Sequence, residues 1–229
     1  MIDISHPLYN VTFHRVHMLY ADAWEQRELG EITTSYSGGT PTAGKNEYYG
    51  GTIPFIRSGE IYGDKTELFI TELGYNNSSA AMVNIGDILY ALYGATSGEV
   101  SRSKIKGAIN QAILAIIPNE EYDADFLTQW LTKGKSNIIS TYLQGGQGDL
   151  SGTIVKALKV DVTSLDEQQK IGDFFRNLDS LIPLHQRKLF SYKKRARKFI
   201  PDSFVCAYIV KYQFQIHQKA QTLLVMYSL

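Results

Sequence analysis

The string in this sequence that comes closest to a catalytic motif runs from Gly39 to Asn46 and reads GTPTAGKN. A phosphate-binding P-loop has the same glycine and lysine spacing, but it also needs a buried strand before it, a helix that opens at the lysine, and a Ser or Thr after the lysine to hold magnesium. Here the preceding residues are polar, Asn46 replaces the hydroxyl, and the glycines at 50 and 51 disfavour a helix. A nucleotide-binding enzyme therefore stays only as a second alternative.

Other patterns that would indicate catalysis or a metal site are missing from the sequence. The GGQG string at residues 145–148 lacks the third glycine of a dinucleotide-binding fingerprint. The sequence contains no Cys and His cluster with metal-ligand spacing and no Gly-x-Ser-x-Gly elbow. We therefore predict a chain without catalytic residues and without a metal site of its own.

Several polar loop strings suit binding better than catalysis. Glycine and other small residues let a backbone approach a ligand, Arg and Lys can neutralise phosphates or donate to guanine, and Gln can bridge adenine. By composition alone these strings are also typical of solvated turns. The predicted DNA-contacting residues are Ser37, Gly39, Thr40, Lys45, Arg57, Ser58, Tyr93, Thr96, Ser97, Arg102, Lys104, Lys106, Gln144 and Gln147.

The formal net charge of zero hides an asymmetry along the chain. Residues 24–163 carry 11 Lys and Arg against 16 Asp and Glu, whereas residues 164–200 carry 9 against 4. An acidic globule is therefore followed by a basic segment, and DNA affinity would have to come from a local basic patch and from that segment.

Composition also limits the class of protein. With 229 residues and 44% hydrophobic residues, the chain can bury a substantial core. The single Cys206 and an opening without a charged and then apolar leader favour a reducing, cytoplasmic setting. No apolar run approaches the roughly 18 residues of a membrane span.

The elements that would position these loops are of both types. Short β-favouring runs separated by Gly, Asn and Ser lie at 52–56, 68–71, 87–92 and 112–117, and an amphipathic helix is predicted at 123–132. We therefore expect a mixed α/β (α+β) globule over residues 24–163. Residues 1–23 form an unassigned leader and residues 201–229 an unassigned tail.

A long helix is predicted after Thr163. Ser164 and Glu167 have the spacing of a capping box, and apolar residues then recur at alternating spacings of four and three, as in a coiled coil. Such a seam predicts a partner helix over residues 164–200, although an ordinary amphipathic helix packed on its own domain is the alternative. Pro183 predicts a kink or a break. The seam residues are Ile171, Phe175, Leu178, Ile182, His185, Leu189 and Tyr192.

Five separated strings, in this order, resemble the specificity subunits of type I restriction-modification systems. They are WEQRELGEI at 24–32, GGTPT at 38–42, YYGGTIPFIRSGEI at 48–61, GDIL at 86–89 and EQQKI at 167–171, the last followed by FF and LD. The resemblance covers residues 24–194. It implies a target recognition domain whose loops enter the DNA major groove, followed by a spacer helix that pairs as an antiparallel coiled coil.

The resemblance also implies a division of labour. Each recognition domain would read one half of a bipartite site in double-stranded DNA, while methyltransferase and restriction subunits would bring S-adenosylmethionine, ATP and magnesium; this chain itself would bind no cofactor. The sequence holds one domain and one helix of the family pattern, which suits a half-length member, a natural truncation or a fragment. For a half-length member we expect a homodimer, because an isolated seam would leave its apolar residues exposed to water. The alternative of another class is a non-catalytic carbohydrate-binding or adhesion module.

Overall fold

The computed structural model describes residues 24–142 and 149–196 and, in the last part of the final helix, the side chains of residues up to 182 together with those of Leu184 and Arg187. The predicted leader 1–23, the predicted tail 201–229, and Gln144 and Gln147 lie outside the described residues. The chain divides into two compact units, with the boundary between Asp173 and Phe174.

The described part of the first unit alternates short strands with short helices. The strands are β1 (Glu25–Glu28), β2 (Thr33–Ser37), β3 (Tyr49–Ile56), β4 (Leu68–Ile70), β5 (Ala81–Val83), β6 (Ile88–Ala91), β7 (Val100–Arg102), β8 (Gly107–Ile109), β9 (Ile113–Pro118) and β10 (Lys159–Val162). The helices are α1 (Leu29–Ile32), α2 (Glu72–Asn76), α3 (Ala124–Tyr142), α4 (Gly152–Lys156) and α5 (Leu165–Ala196), the last of which continues into the second unit.

Two four-stranded sheets and one two-stranded ribbon organise these strands. The first sheet has the order β2-β9-β6-β7 and is antiparallel throughout. The second sheet has the order β4-β3-β8-β5, in which β3 and β8 run parallel. The ribbon pairs β1 with β10. The predicted mixed α/β class is therefore confirmed.

Both faces of the first sheet are covered by hydrophobic clusters, and for this reason β6 is buried along its whole length. One face carries Ile88, Tyr90, Leu114 and Ile116, and it packs in one cluster with Leu127 and other residues of α3. The opposite face carries Leu89, Ala91 and Ala115, which cluster with Ile56 and Ile109 of the second sheet. A continuous apolar run is the pattern expected of a strand covered on two sides.

The four predicted strands overlap β3, β4, β6 and β9, and the predicted helix at 123–132 is the first half of α3. Phe126, Leu127 and Leu131 are buried as that amphipathic face requires. α3 continues for a further ten residues, to Tyr142.

Helix α5 begins after the predicted cap. The Ser164 hydroxyl accepts a hydrogen bond from the Glu167 amide at 3.5 Å, and the Glu167 carboxylate accepts one from the Thr163 hydroxyl at 2.7 Å. The helix then runs as one element of 32 residues through Pro183, so of the predicted kink or break the break is wrong, and the kink stays a prediction. Proline removes one backbone donor, but the hydrogen bonds on both sides of that position keep a long helix continuous at a cost of about 3 kcal/mol.

Within the described residues, the predicted seam of α5 is partly covered. In the first unit, Ile171 packs against the main core cluster. In the second unit, Leu181, Ile182 and Leu184 are 47%, 49% and 55% exposed. The side chains of His185, Leu189 and Tyr192 lie outside the described residues. No helix in the described part of the chain has both the length and the apolar character needed to cross a bilayer.

Candidate nucleic-acid interface

The register of the first sheet brings several predicted contact loops to one end. Ser37 at the end of β2 pairs with Leu114 near the start of β9, Ile113 pairs with Ala91 at the end of β6, and Tyr90 pairs with Val100 at the start of β7. The segments that follow β2, precede β9 and connect β6 to β7 therefore leave the sheet at the same end.

Loops of the second sheet lie at the same end as these segments of the first sheet. Ile56 at the end of β3 pairs with Ile109 at the end of the parallel strand β8, so Arg57 leaves the sheet beside Asn110. The turn 110–112 then joins β8 directly to β9 of the first sheet. We call this region, made of residues 37–41, 57–67, 92–99 and 110–112, the loop end.

The Gly-Gly-Thr-Pro segment is packed tightly into the loop end. A Cβ on Gly38 would lie 1.8 Å from the carbonyl oxygen of Ile109, and a Cβ on Gly39 would lie 2.1 Å from the Ser79 hydroxyl. The Thr40 hydroxyl donates to Oε1 of Gln111 at 2.7 Å. Gly38 brings the backbone close to β8 and Gly39 brings it close to Ser79, while the exposed Thr40 and Gln111 side chains present hydrogen-bonding groups.

The β6–β7 hairpin supplies the predicted contacts Tyr93, Thr96 and Ser97. Its tip depends on glycines, since Gly94 and Gly98 have φ angles of 79° and 77°. The Ser97 hydroxyl donates to the carbonyl of Leu92 at 3.0 Å, which closes the loop internally. Tyr93 forms a β-bridge with Asp149, the first described residue after the segment that contains Gln144 and Gln147.

Arg57 is held by two carboxylates. Its Nε and one terminal nitrogen donate to the two oxygens of Glu60, each at 3.0 Å, and the same terminal nitrogen donates to Glu67 at 2.9 Å. An open cavity of about 330 Å³ is lined by Arg57, Gly59, Glu60 and Glu67. These hydrogen bonds raise the pKa of the Arg57 guanidinium above its usual value, so it is charged at any physiological pH.

Glu60 is the fixed partner in that group. Burial alone would raise the pKa of its carboxyl, but hydrogen bonds from the Arg57 side chain, the amides of Glu67 and Arg57, and the Thr66 hydroxyl outweigh it and hold the pKa at about 2. The two amide donors lie at 3.0 and 3.2 Å. The Glu60 side chain is only 17% exposed, whereas that of Glu67 is 87% exposed.

A second polar group ties the β3–β4 loop to the hairpin and to α3. The Tyr62 hydroxyl donates to Glu99, and Lys135 of α3 forms an ion pair with the same carboxylate. Burial and the Glu99 contact raise the pKa of Tyr62 to about 12, while the hydrogen bond from Lys135 and that from Tyr62 lower the pKa of Glu99. Glu99 therefore stays ionised and joins three separate elements.

Four predicted contacts lie outside the residues of the loop end. Arg102 is the last residue of β7, and Lys104 and Lys106 lie between β7 and β8. Lys104 nevertheless reaches the loop end, because its ammonium donates to the carbonyl oxygen of Tyr62 at 2.9 Å. Arg102 donates to the Gly86 carbonyl and to Asp125 at the start of α3, which indicates a structural role. Lys45 precedes β3, and its ammonium lies 4.9 Å from the centroid of the Tyr48 ring. Its surroundings are also not those of a P-loop, because only a 3-10 turn, Asn46–Tyr48, follows it.

The opposite end of the first sheet carries a different surface. An open cavity of about 510 Å³ lies there and is lined by Glu25, Glu120, Glu121, Tyr122, Thr163, Ser164 and Leu165. Three carboxylates make this cavity unsuited to a phosphate backbone.

Sequence reasoning missed Asn110, Gln111, Glu60 and Glu67 as members of the site. Gln111 and Asn110 occupy the turn between two strands, which their position before the 112–117 run indicates. Arg57 and Glu60 are three residues apart, which is the spacing of a helix cap, so their contact could have been predicted from the sequence. Glu67 is ten residues from Arg57, and its contact with the guanidinium depends on the folded loop.

The model of the family described as type I restriction modification DNA specificity domain matches residues 21–190 of this chain, and this span contains the whole loop end. The chain belongs to this family. The specificity domain therefore accounts for both sheets and for most of α5.

Two relatives show how far the likeness extends. The specificity domain is 29% identical over 167 residues to the EcoR124I/EcoR124II specificity subunit of Escherichia coli, an alignment that covers 69% of this chain and 41% of the relative. It is 28% identical over 193 residues to the MjaIX specificity subunit of Methanocaldococcus jannaschii, covering 80% and 44%. The chain thus spans less than half the length of the curated relatives it matches.

Solved structures share the fold of the specificity domain. An HsdS subunit from Thermoanaerobacter tengcongensis matches 72% of this chain and 39% of its own with a TM-score of 0.56 at 17% identity. A type I restriction-modification S subunit from M. genitalium matches 76% of this chain and 44% of its own with a TM-score of 0.57 at 20% identity. At such identities the likeness describes the fold alone.

Proposed function

We propose that this chain binds double-stranded DNA through its loop end and reads one half of a bipartite site as the recognition domain of a type I specificity subunit. The observation that supports this most directly is the convergence of loops from two sheets at one end. A rigid scaffold with polar loops at one end is a common way to present binding residues.

The chemistry of the loop end favours base reading by hydrogen bonds over attraction by charge. Thr40, Gln111, Ser58 and Thr96 are neutral donors and acceptors, and the one arginine there is paired with carboxylates. Sequence specificity comes from such contacts to base edges, whereas phosphate contacts give affinity. Phosphate neutralisation then falls to basic side chains elsewhere, above all those in residues 187–198 of the basic segment.

The chain would supply DNA sequence specificity to the complex and would catalyse no reaction itself. In this proposal it docks methyltransferase subunits and, through them, restriction subunits in the cytoplasm, and S-adenosylmethionine, ATP and magnesium bind to those partners. The half-exposed Ile182 supports a partner for the seam of α5. A second copy of this chain would cover the seam and supply the second half-site.

Mapping of methylated bases tests the proposal. Cells that carry this chain with its methyltransferase partner should show methylation at one bipartite motif, and deletion of the chain alone should abolish it. Methylation that is unchanged after the deletion would refute the proposed function. A carbohydrate-binding module would give that same unchanged pattern.

A further inference from the structure

We propose that Arg57 reads a guanine in the half-site, that Glu60 holds it in the reading position, and that Glu67 accepts from the amino group of the paired cytosine. This inference rests on the proposed function, since it assumes that the loop end contacts a DNA groove. It adds the identity of a base pair and the residues that select it.

Glu60 fixes the guanidinium of Arg57 along its Nε edge. Glu60 accepts two parallel hydrogen bonds from Nε and one terminal nitrogen of Arg57, each of 3.0 Å. Glu60 itself is held by the amides of Glu67 and Arg57 and by the Thr66 hydroxyl, at 3.0, 3.2 and 3.1 Å. Arg57 directly follows β3, and Glu67, whose amide holds Glu60, directly precedes β4, so the contact is anchored to two strands of the second sheet. A preoriented fork loses less side-chain entropy on binding.

The outward edge of the guanidinium is available. Among the described residues, its second terminal nitrogen makes no hydrogen bond, and the first is shared with Glu67, whose side chain is 87% exposed. The adjoining cavity of about 330 Å³ stays open because Gly59 has no side chain, and a Cβ there would contact nothing within 4 Å. The second terminal nitrogen of Arg57 is thus a donor to this space as it stands, and the first becomes a donor when the exposed Glu67 carboxylate turns from Arg57 to the cytosine amino group.

A G·C base pair matches this set of groups. In the major groove guanine presents the acceptors O6 and N7, which pair with the arginine fork, and cytosine presents an N4 amino donor, which pairs with a carboxylate. An A·T pair presents the adenine amino donor where the arginine needs an acceptor. A phosphate is disfavoured because the cavity holds two carboxylates against one guanidinium.

The test is methylation mapping of cells that carry the chain with its methyltransferase partner, in which Arg57→Gln and Arg57→Lys are compared with the unchanged chain. We expect the unchanged motif to require G·C at one position of the half-site. In Arg57→Gln, methylation at sites with another base pair there should rise about 10-fold or more relative to the intact motif, while all other positions keep their preference. Arg57→Lys keeps the charge but not the fork, so it should relax the same position.

Two further variants keep the test decisive. Glu67→Gln changes only an exposed side chain and should weaken the preference at that same base pair. Arg27→Gln removes another exposed arginine that pairs with a glutamate, on β1 away from the loop end, and should leave the motif unchanged.

The outcomes separate this inference from the proposed function. Absence of any bipartite motif with the unchanged chain would refute the proposed function. A motif without a required G·C pair, a motif that Arg57→Lys and Glu67→Gln leave intact, or a uniform fall in methylation with an unchanged motif would overturn the inference alone. The last result would assign Arg57 to a phosphate.

Discussion

At the scale of single residues, the loop end carries more carboxylates than cations, since Arg57 and Lys65 lie there with Glu60, Asp64, Glu67 and Glu99. Arg57 is paired with Glu60 and Glu67, and Lys135 of the adjoining helix α3 is paired with Glu99. Pairing of this kind orients a side chain but adds little attraction for DNA phosphates at a distance. Discrimination at the loop end is therefore expected to depend more on hydrogen-bond geometry than on salt.

Glu60 should make the stability of the first unit depend on acid. Its pKa of about 2 in the folded chain lies below the ordinary value of 4.5, so it stabilises the fold fully above pH 4.5 and loses that contribution as pH falls towards 2. We expect Glu60→Gln to lower the free energy of unfolding at pH 7 by about 1–3 kcal/mol, and by roughly half of that or less at pH 3. Urea unfolding at both pH values measures this, and an equal loss at both would contradict the assignment.

Gly38 should be intolerant of any side chain, because a Cβ there would lie 1.8 Å from the Ile109 carbonyl oxygen. Gly38→Ala is expected to lower the free energy of unfolding by about 2 kcal/mol or more, since neither strand can move without disturbing the core. Gly59→Ala is the matched control, because a Cβ there contacts nothing within 4 Å. Thermal unfolding that shifts equally in both variants would contradict this packing.

At the scale of elements, the start of α5 is fixed to the first unit by Gln168, which is 1% exposed. Its amide nitrogen donates to the Thr163 carbonyl at 2.7 Å, and its amide oxygen accepts from the Asp123 backbone at 3.0 Å. This one side chain therefore links the starts of α3 and α5.

Gln168→Ala should leave two buried backbone groups without that partner and lower the free energy of unfolding by about 2–4 kcal/mol. Hydrogen exchange should also speed up at the first turns of α3 and α5. The neighbouring Gln169 is exposed, so Gln169→Ala should change neither quantity. Equal behaviour of the two variants would mean that Gln168 does not hold the helix start.

Elements with a strong local pattern were predictable from the sequence, and elements defined by distant partners were not. The runs that became β3, β6 and β9 are apolar over several residues, and the start of α5 carries its own cap. β1 is polar and fully exposed, and it exists only because it pairs with β10, more than 130 residues away. Of the kink or break predicted at Pro183, the break was wrong, because the helical residues on both sides outweigh the local preference of proline.

The site was predictable to a similar degree. Strand register brings together Ser37, Thr40, Arg57, Ser58 and the hairpin residues at one end of the sheets. Register between distant strands cannot be deduced from a single sequence. Arg102 looked like a loop cation but forms an ion pair with Asp125. Its partner lies 23 positions away and is brought near only by the packing of α3 on β7.

At the scale of the whole molecule, the exposed seam of α5 predicts self-association. We expect light scattering to give a dimer at micromolar concentration and Ile182→Glu to give a monomer, because a charge in the seam would be buried without a partner. Ser180→Glu is the control, since this exposed residue lies on the other side of the helix. A monomer with the unchanged chain would contradict the dimer.

The central claim is that DNA binds at the loop end and not at the opposite end of the sheets. Hydrogen–deuterium exchange of the assembled complex, with and without a duplex that carries its methylated motif, tests this most directly. We expect slower exchange in residues 37–41, 57–67, 92–99 and 110–112, and no change around Glu25 or Glu120. Protection confined to that second group would contradict it.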